Sequence, residues 1–201
     1  TSTASAGESA IRNPKSEIST PVVLVVVGAA GAPEYGPQFA AWAKLWRDAC
    51  ARSQAQCLTI GLDDPGTAPD RERLREILVE LVRSVPARAY PDRKAEDGGQ
   101  KTAALSALWL VLIGHGTFDG RAAKFNLRGP DLAASDLAEW LRPLERPVAV
   151  IDATSSSSPF LKALSAPGRI VITATKSGFE HNFARFGQYL AESILSPSAD
   201  L

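Results

Sequence analysis

The sequence is poor in the residues that most often build metal and thiol chemistry. Its 201 residues include no methionine, two cysteines (Cys50 and Cys57) and two histidines. A structural zinc site needs a close pair of ligands that is repeated along the chain, and this spacing is missing. We therefore expect no metal and no cofactor. A Cys50–Cys57 disulfide would need a specific geometry, and such cysteines more often act as small buried hydrophobic residues.

The chain also lacks an excess of charge of either sign and a long apolar run. Lys and Arg number 22, Asp and Glu number 22, and the basic residues are scattered rather than arranged in a stripe. Nucleic acid and membranes are therefore not expected as partners. The longest apolar run, which starts at Val22, is too short to span a bilayer. The hydrophobic fraction of 45% and the length suit one soluble globular domain.

Two segments have the composition of chain without a packed core. Residues 1–20 are rich in Ser, Thr, Ala and Gly, and residues 85–101 are charged and aperiodic. We expect the first to be a disordered lead-in and the second a long surface loop. A start without Met favours an exported protein after signal removal, with an expression boundary or a cytoplasmic protein as alternatives. The predicted domain then covers residues 21–201.

Within this domain, short apolar runs alternate with amphipathic segments. The runs predict strands at Val22–Val27, Cys57–Leu62, Leu108–Ile113, Val148–Ile151 and Arg169–Ala174. Helices are expected between them, starting near Pro37, capped by Asp70 and by Ser135, short at Phe160–Leu164, and last at about Phe183–Leu195. Strands that alternate with helices predict a three-layer α/β domain with a mainly parallel central sheet.

Two of these strands end on residues that can carry chemistry. The strand at Leu108–Ile113 is followed by Gly114, His115 and Gly116, and the strand at Val148–Ile151 by Asp152, Ala153, Thr154 and Ser155. Neighbouring parallel strands deliver their last residues to the same edge, where α/β folds place their sites. The flanking glycines allow a sharp backbone turn around the histidine. We therefore interpret His115 as a functional residue rather than an ordinary buried histidine.

These two endings resemble the caspase-like fold of cysteine peptidases, most closely the legumain-type family. There, a His-Gly and an acidic-Ala-Cys or acidic-Thr-Cys close two neighbouring strands. The resemblance covers roughly residues 21–195. It implies a three-layer caspase-like domain in which His115 is the general acid or base, Gly116 offers its N–H to the oxyanion, and Thr154 occupies the position of the nucleophilic Cys, near Asp152 and Ser155.

The resemblance also implies a specificity pocket. Residues 171–180 resemble the strand and loop that form one wall of the family's primary pocket, with Thr175, Lys176, Ser177 and Glu180 as candidate contacts. A threonine hydroxyl gives no thiolate, and it needs a strong base close by. The sequence therefore predicts a pseudo-peptidase whose cleft binds a peptide or protein segment. The strand beginning at Arg169 is the expected edge for strand addition.

Other interpretations stay open. An active hydrolase could use Thr154 or Ser155 with His115, although neither hydroxyl lies in a G-x-S-x-G elbow. The chain could be an engineered Cys-to-Thr form of an active peptidase. Residues 28–36 are spaced loosely like a nucleotide-binding turn, but Pro33 and Pro37 delay the following helix, and the acidic residues 63 and 64 come late for a ribose contact. The sequence does not determine the substrate, the partner or the oligomeric state.

Overall fold

A computed structural model of the protein describes residues 20–62, 68–84, 105–180 and 185–195. In chain order, the elements are β1 (Val22–Val27), α1 (Tyr35–Ser53), β2 (Gln56–Ile60), α2 (Asp70–Arg83), β3 (Leu108–Ile113), β4 (Gly116–Phe118), β5 (Ala123–Phe125), β6 (Leu132–Ala133), α3 (Ala134–Leu141), β7 (Val148–Asp152), α4 (Ser158–Leu164), β8 (Arg169–Thr173) and α5 (Phe186–Leu195). The predicted lead-in except for residue 20, the whole of the predicted loop at 85–101, the predicted start of the last helix at Phe183, and residues 63 and 64 lie outside the described residues.

Five of the strands form one parallel sheet in the order β2-β1-β3-β7-β8. Every residue of β1 is buried, because helices cover both faces of the sheet. Leu24 and its same-face neighbours pack in one core with α2, α3 and α4. Val25 and its neighbours pack in a second core with α1 and α5. The predicted three-layer α/β domain with a mainly parallel sheet is confirmed.

A small antiparallel sheet of β4, β5 and β6 joins the ends of two central strands. Asn126 donates its backbone N–H to the His115 carbonyl (3.0 Å) and accepts a bond from the Ala29 N–H (2.9 Å). A Cβ added to Gly28 would lie 2.4 Å from the Asn126 carbonyl oxygen. The small sheet therefore clamps the ends of β1 and β3 together, next to the candidate site.

Several helix starts differ from the sequence expectations. The first helix begins at Tyr35, before Pro37, and α3 begins at Ala134, so Ser135 is not its cap. Asp70 is not a cap either. It is the buried first residue of α2, and its carboxylate accepts bonds from Arg128 Nε (2.7 Å) and a terminal guanidinium nitrogen (3.0 Å). A buried carboxylate needs a charged partner. The Asp70 side chain therefore bonds to Arg128 and does not cap the helix.

The two cysteines are free thiols on neighbouring elements. Cys50 is buried on α1, and Cys57 is half-buried on β2. Burial, followed by the neighbouring Cys57 thiol, raises the pKa of Cys50 to about 12. The Cys50 thiol is therefore protonated and inert at neutral pH. In the part of the chain that the structure describes, no helix has the length and apolar character needed to cross a membrane.

Candidate functional site

The structure brings the two predicted motifs to one edge of the sheet. Strands β3 and β7 are adjacent and parallel, and Leu112 pairs with Asp152 in their register. His115 follows β3 by two residues, and Thr154 follows β7 by two residues. Both therefore lie at the carboxyl edge, where the sequence predicted them.

The His115 ring is held by the loop that follows β1. Its Nε2 lies 3.0 Å from the Ala30 carbonyl oxygen. Because a carbonyl only accepts, Nε2 carries the proton and donates it. The ring also makes edge contacts with Tyr35 (4.7 Å between centroids) and Phe39 (5.2 Å). In the neutral imidazole, Nδ1 is then the proton-accepting atom. The orientation of the ring is set by α1 and by the loop between β1 and α1.

Thr154 is fully buried and hydrogen-bonded to the acidic residue two positions before it. Its hydroxyl donates to Asp152 Oδ1 (2.6 Å) and, more weakly, to the Ser155 carbonyl (3.1 Å). Its backbone N–H also donates to Asp152 Oδ1 (3.1 Å). The Thr154 hydroxyl therefore closes a turn inside the protein, away from any substrate.

Ser155 is equally engaged, with the backbone of Gly116. Its hydroxyl accepts a bond from the Gly116 N–H (3.2 Å) and donates to the Gly116 carbonyl (3.2 Å). A Cβ added to Gly116 would lie 2.1 Å from the Ser155 carbonyl oxygen, so this approach requires glycine. The N–H that the family resemblance assigns to the oxyanion is thus occupied by Ser155. Within the described ranges, neither the Thr154 nor the Ser155 hydroxyl is hydrogen-bonded to His115.

The Asp152 carboxyl is the most perturbed acid of the site. It is completely buried, and Oδ2 has no hydrogen-bond partner among the residues that the structure describes. Burial raises the pKa of Asp152 to about 7, although the hydrogen bonds from Thr154 act in the opposite direction. Near neutral pH, this carboxyl therefore exchanges between its charged and neutral forms.

The rest of the hydroxyl-rich turn is bonded to the segment after β8. The Ser156 N–H donates to the Glu180 carbonyl (2.9 Å). The Ser157 hydroxyl accepts bonds from the N–H groups of Ala174 (3.0 Å) and Thr175 (3.1 Å). The run of serines, interpreted from the sequence as the remnant of an active site, joins two loops at the carboxyl edge. The sequence held no signal for these partners.

The four predicted pocket residues lie beside this turn but have different surroundings. Thr175 is buried, and its hydroxyl lies 3.2 Å from that of Ser157. Lys176 is exposed, and the Ser177 hydroxyl accepts the Phe179 N–H (3.2 Å). Glu180 has a buried Oε1 without a partner in the described segments. Of the four, the Lys176 side chain is the one open to solvent.

An aromatic pair with one exposed ring was missed by the sequence analysis. Phe179 is 65% exposed, and its ring makes an edge contact with Phe118 at 5.2 Å between centroids. Gly178 lies so close to Phe118 that an added Cβ would come within 2.5 Å of that ring. The sequence feature that could have indicated this pair is Gly178 followed by Phe179, because the resemblance implies a charged pair at that place.

The described residues offer neither a set of metal ligands nor a phosphate-binding turn. The described residues contain no group of three or more His, Cys, Asp or Glu side chains able to hold a metal ion. In the loop after β1, Gly28 is explained by its packing under Asn126 and Phe125. The first turn of α1 includes Pro37, which has no N–H to offer a phosphate.

Comparisons of the chain with protein-family models, with curated proteins and with solved structures found no significant match. The resemblance to caspase-like peptidases therefore depends on the residues quoted above.

The edge next to the site is the strand β8, which pairs with β7 and with no other strand of the described chain. The Ala174 N–H donates to the Asp152 carbonyl, so even-numbered residues of β8 direct their backbone groups toward β7. Alternation along a strand then directs the N–H and C=O groups of Val171 and Thr173 outward. The side chains of Ile170 and Ile172 are 64% and 38% exposed.

Proposed function

We propose that this protein is a caspase-like domain of the legumain type that acts as a binding module and not as a peptidase. One observation carries the proposal. The hydroxyl at the nucleophile position, that of Thr154, is fully buried and donates to Asp152. A hydroxyl becomes a nucleophile only when a base withdraws its proton beside an accessible substrate. Here the hydroxyl has neither access nor the imidazole as its partner.

The topology supports the family part of the proposal. A His-Gly follows β3, the adjacent β7 ends on Asp152 and is followed by Ala153 and Thr154, and three short strands lead into α3 between them. This is the arrangement that the resemblance implies. The Ser155 hydroxyl on the Gly116 N–H fills the position of an oxyanion, as expected for a site that no longer binds a reacting carbonyl.

The free edge of β8 supports the binding part. Val171 and Thr173 direct backbone donors and acceptors outward, next to the site. An extended segment that adds to such an edge gains a ladder of main-chain hydrogen bonds. The proposed activity is therefore capture of an extended peptide or protein segment along β8.

The catalytic part is tested with reporter peptides that end in Asn, Asp, Arg or Lys. We expect no turnover by the wild-type chain and no change in His115→Ala or Thr154→Ala. Steady hydrolysis that His115→Ala abolishes would replace the proposal by the active-hydrolase interpretation. Thr154→Cys should stay unlabelled by a peptidyl, thiol-directed inhibitor in the folded protein, because the side chain at position 154 is fully buried. His115-dependent labelling of this variant would show an accessible nucleophile position and would contradict the binding-module interpretation.

The binding part is tested at Thr173. Proline there removes an outward N–H, at an edge position where proline is tolerated. Thr173→Pro should abolish binding of a labelled octapeptide of alternating Thr and Val, measured by fluorescence polarisation at a protein concentration of about 1 µM or less. Thr173→Val keeps the N–H and should bind as the wild type does. Equal binding by all three proteins, or binding by none, would contradict strand addition.

The same substitution at Thr175 would be a poor test. Its N–H donates to the Ser157 hydroxyl, and its own hydroxyl contacts that turn. A proline at this position would disturb the folded site rather than the free edge. Thr175 lies past the end of β8, and Thr173 lies within it, so Thr173 is the informative position for this test.

A further inference from the structure

A cavity of about 410 Å³ lies at the amino edge of the central sheet, between the strands β1 and β3 and the helices α1 and α5. Val23 and Trp109 line it from the sheet, since they pair in the register of β1 and β3 and share the face that α1 covers. Ile194 lines it from α5. One face of α1 forms the wall, with residues at helical spacing: Trp46, Ala49, Cys50 and Ser53. Cavities of this size are typical of small-molecule sites.

The walls of this cavity are mainly apolar, and two of them are aromatic. Of the residues that line it, only Arg52 and Ser53 carry a polar or charged side chain outside an aromatic ring or a thiol. The indole rings of Trp46 and Trp109 offer planar apolar surface. Aromatic rings pack favourably against one another in offset-stacked or edge-to-face arrangements. The walls therefore suit a planar aromatic molecule.

The polar groups that the walls leave without a partner are hydrogen-bond donors. The Ser53 hydroxyl is satisfied, because it donates to the Ala49 carbonyl (3.0 Å). The buried indole N–H of Trp46 has no partner in the described chain. Arg52 is exposed, and the described residues give its guanidinium one hydrogen bond, to the Leu195 carbonyl, and no acidic partner.

A ligand of this cavity must therefore bring acceptors and negative charge. Among the described residues, no acidic side chain lines the cavity, and Arg52 supplies its one cationic group. A guanidinium has five N–H donors in a planar fork. A carboxylate matches this fork in geometry and in charge, and such charge-assisted bonds are stronger than neutral ones.

We infer that this cavity is a binding site for a small aromatic carboxylic acid, with the ring of the ligand against Trp46 and Trp109 and its carboxylate on Arg52. The site is separate from the one at the carboxyl edge. Six residues separate Trp109 from His115 along the chain, which corresponds to about 20 Å in an extended strand. The inference does not depend on strand addition at β8, so either can fail without the other.

Binding is tested with cinnamate, a planar aromatic carboxylate, added up to about 1 mM to the isotope-labelled full chain. The indole N–H signals of the four tryptophans are followed by heteronuclear NMR and assigned with single Trp→Phe variants. The signals of Trp46 and Trp109 should shift in a saturable manner. The signal of Trp140 should not, because this residue packs in the core on the opposite face of the sheet. Unshifted signals of Trp46 and Trp109 would overturn the inference.

The role of the guanidinium is tested by Arg52→Gln, which removes the charge and keeps an N–H donor. This variant should bind cinnamate about fivefold or more weakly and should bind cinnamamide, the neutral analogue, as the wild type does. The control is Arg47→Gln, because Arg47 is exposed on the same helix and does not line the cavity. It should keep the wild-type affinity for cinnamate. Equal cinnamate binding by Arg52→Gln and the wild type would reject the carboxylate site.

Occupation of the cavity is tested by Ala49→Phe, which places an aromatic side chain inside it. This variant should bind neither cinnamate nor cinnamamide. Ala41→Phe is the control, since Ala41 is exposed on the same helix outside the lining, and it should bind both. Far-UV circular dichroism checks the folding of each variant. Ser53→Trp, at the exposed end of α1, is the blocking variant to use if Ala49→Phe does not fold. Undiminished binding by a folded blocking variant would place the ligand elsewhere and reject the inference.

Discussion

The buried carboxyl of Asp152 makes the stability of the protein depend on pH. Burial raises its pKa from 3.8 to about 7 in the folded state. The folded protein therefore binds this proton more tightly than the unfolded chain does. The stabilisation that comes from this tighter proton binding is complete below about pH 4, declines as the pH rises to about 7, and is absent above about pH 7. About three pKa units at 1.36 kcal/mol each correspond to ~4 kcal/mol across this range.

Asp152→Asn removes the titration and keeps most of the geometry. The amide oxygen can still accept the two bonds from Thr154, while the amide nitrogen takes the position of Oδ2, which has no partner in the described chain. An unsatisfied buried donor costs about 1–3 kcal/mol, but the protonated carboxyl that predominates at pH 4 also places an O–H donor at Oδ2. The variant should therefore be about as stable as the wild type at pH 4 and more stable at pH 8.

Urea unfolding of both proteins at several pH values between 4 and 8 measures this effect. The decisive quantity is the difference between their free energies of unfolding, which should change by ~4 kcal/mol across the range. Asp119→Asn is the control. Asp119 is exposed, and its pKa is lowered by hydrogen bonds from backbone N–H groups, that of Ala122 first. The difference in free energy of unfolding between Asp119→Asn and the wild type should therefore stay flat above pH 4. A flat difference for Asp152→Asn as well would refute the argument.

Three further outcomes follow from local geometry. Gly116→Ala should cost about 3 kcal/mol of stability and lower the Tm by about 6–12 °C in a thermal melt, because the added Cβ would collide with the backbone of Ser155. The control is Gly36→Ala, whose added Cβ meets only ordinary contacts and which should therefore keep the wild-type Tm. A similar loss of Tm in both variants would contradict the steric explanation. Asp70→Asn should cost about 3 kcal/mol in urea unfolding, against about 0.5 kcal/mol or less for Asp48→Asn, whose ion pair is exposed. Cys50 should react with a thiol reagent at pH 8 only after unfolding, because its pKa is raised to about 12, and rapid native-state labelling of Cys50 would show that it is not buried.

The central sheet and the position of the site were predictable from the sequence. Runs of β-branched residues such as Val22–Val27 form strands with little dependence on context, and the helices between them require parallel connections. That topology alone delivers the residues after β3 and β7 to one edge. The proximity of the His-Gly motif to the Asp-Ala-Thr motif therefore follows from chain order and strand polarity.

Helix starts and the small second sheet were less predictable, because distant partners decide them. Ser and Asp favour caps by local hydrogen bonding. Asp70 instead pairs with Arg128, 58 residues away, and α3 starts one residue before Ser135. The strands β4 and β6 are two or three residues long, too short for a periodic pattern. Their formation depends on pairing with β5.

Strand order and polarity, which follow from the sequence, fix which side chains reach the edge, whereas long-range packing sets where each of them points. His115 bonds to a carbonyl 85 residues away, and Gly116 and Ser155 bond across 39 residues. No local pattern encodes such partners, because they depend on the packing of three loops against one another. The same holds for β8. Its apolar run was visible in the sequence, but only the sheet order showed that one side of the strand pairs with no other strand of the described chain.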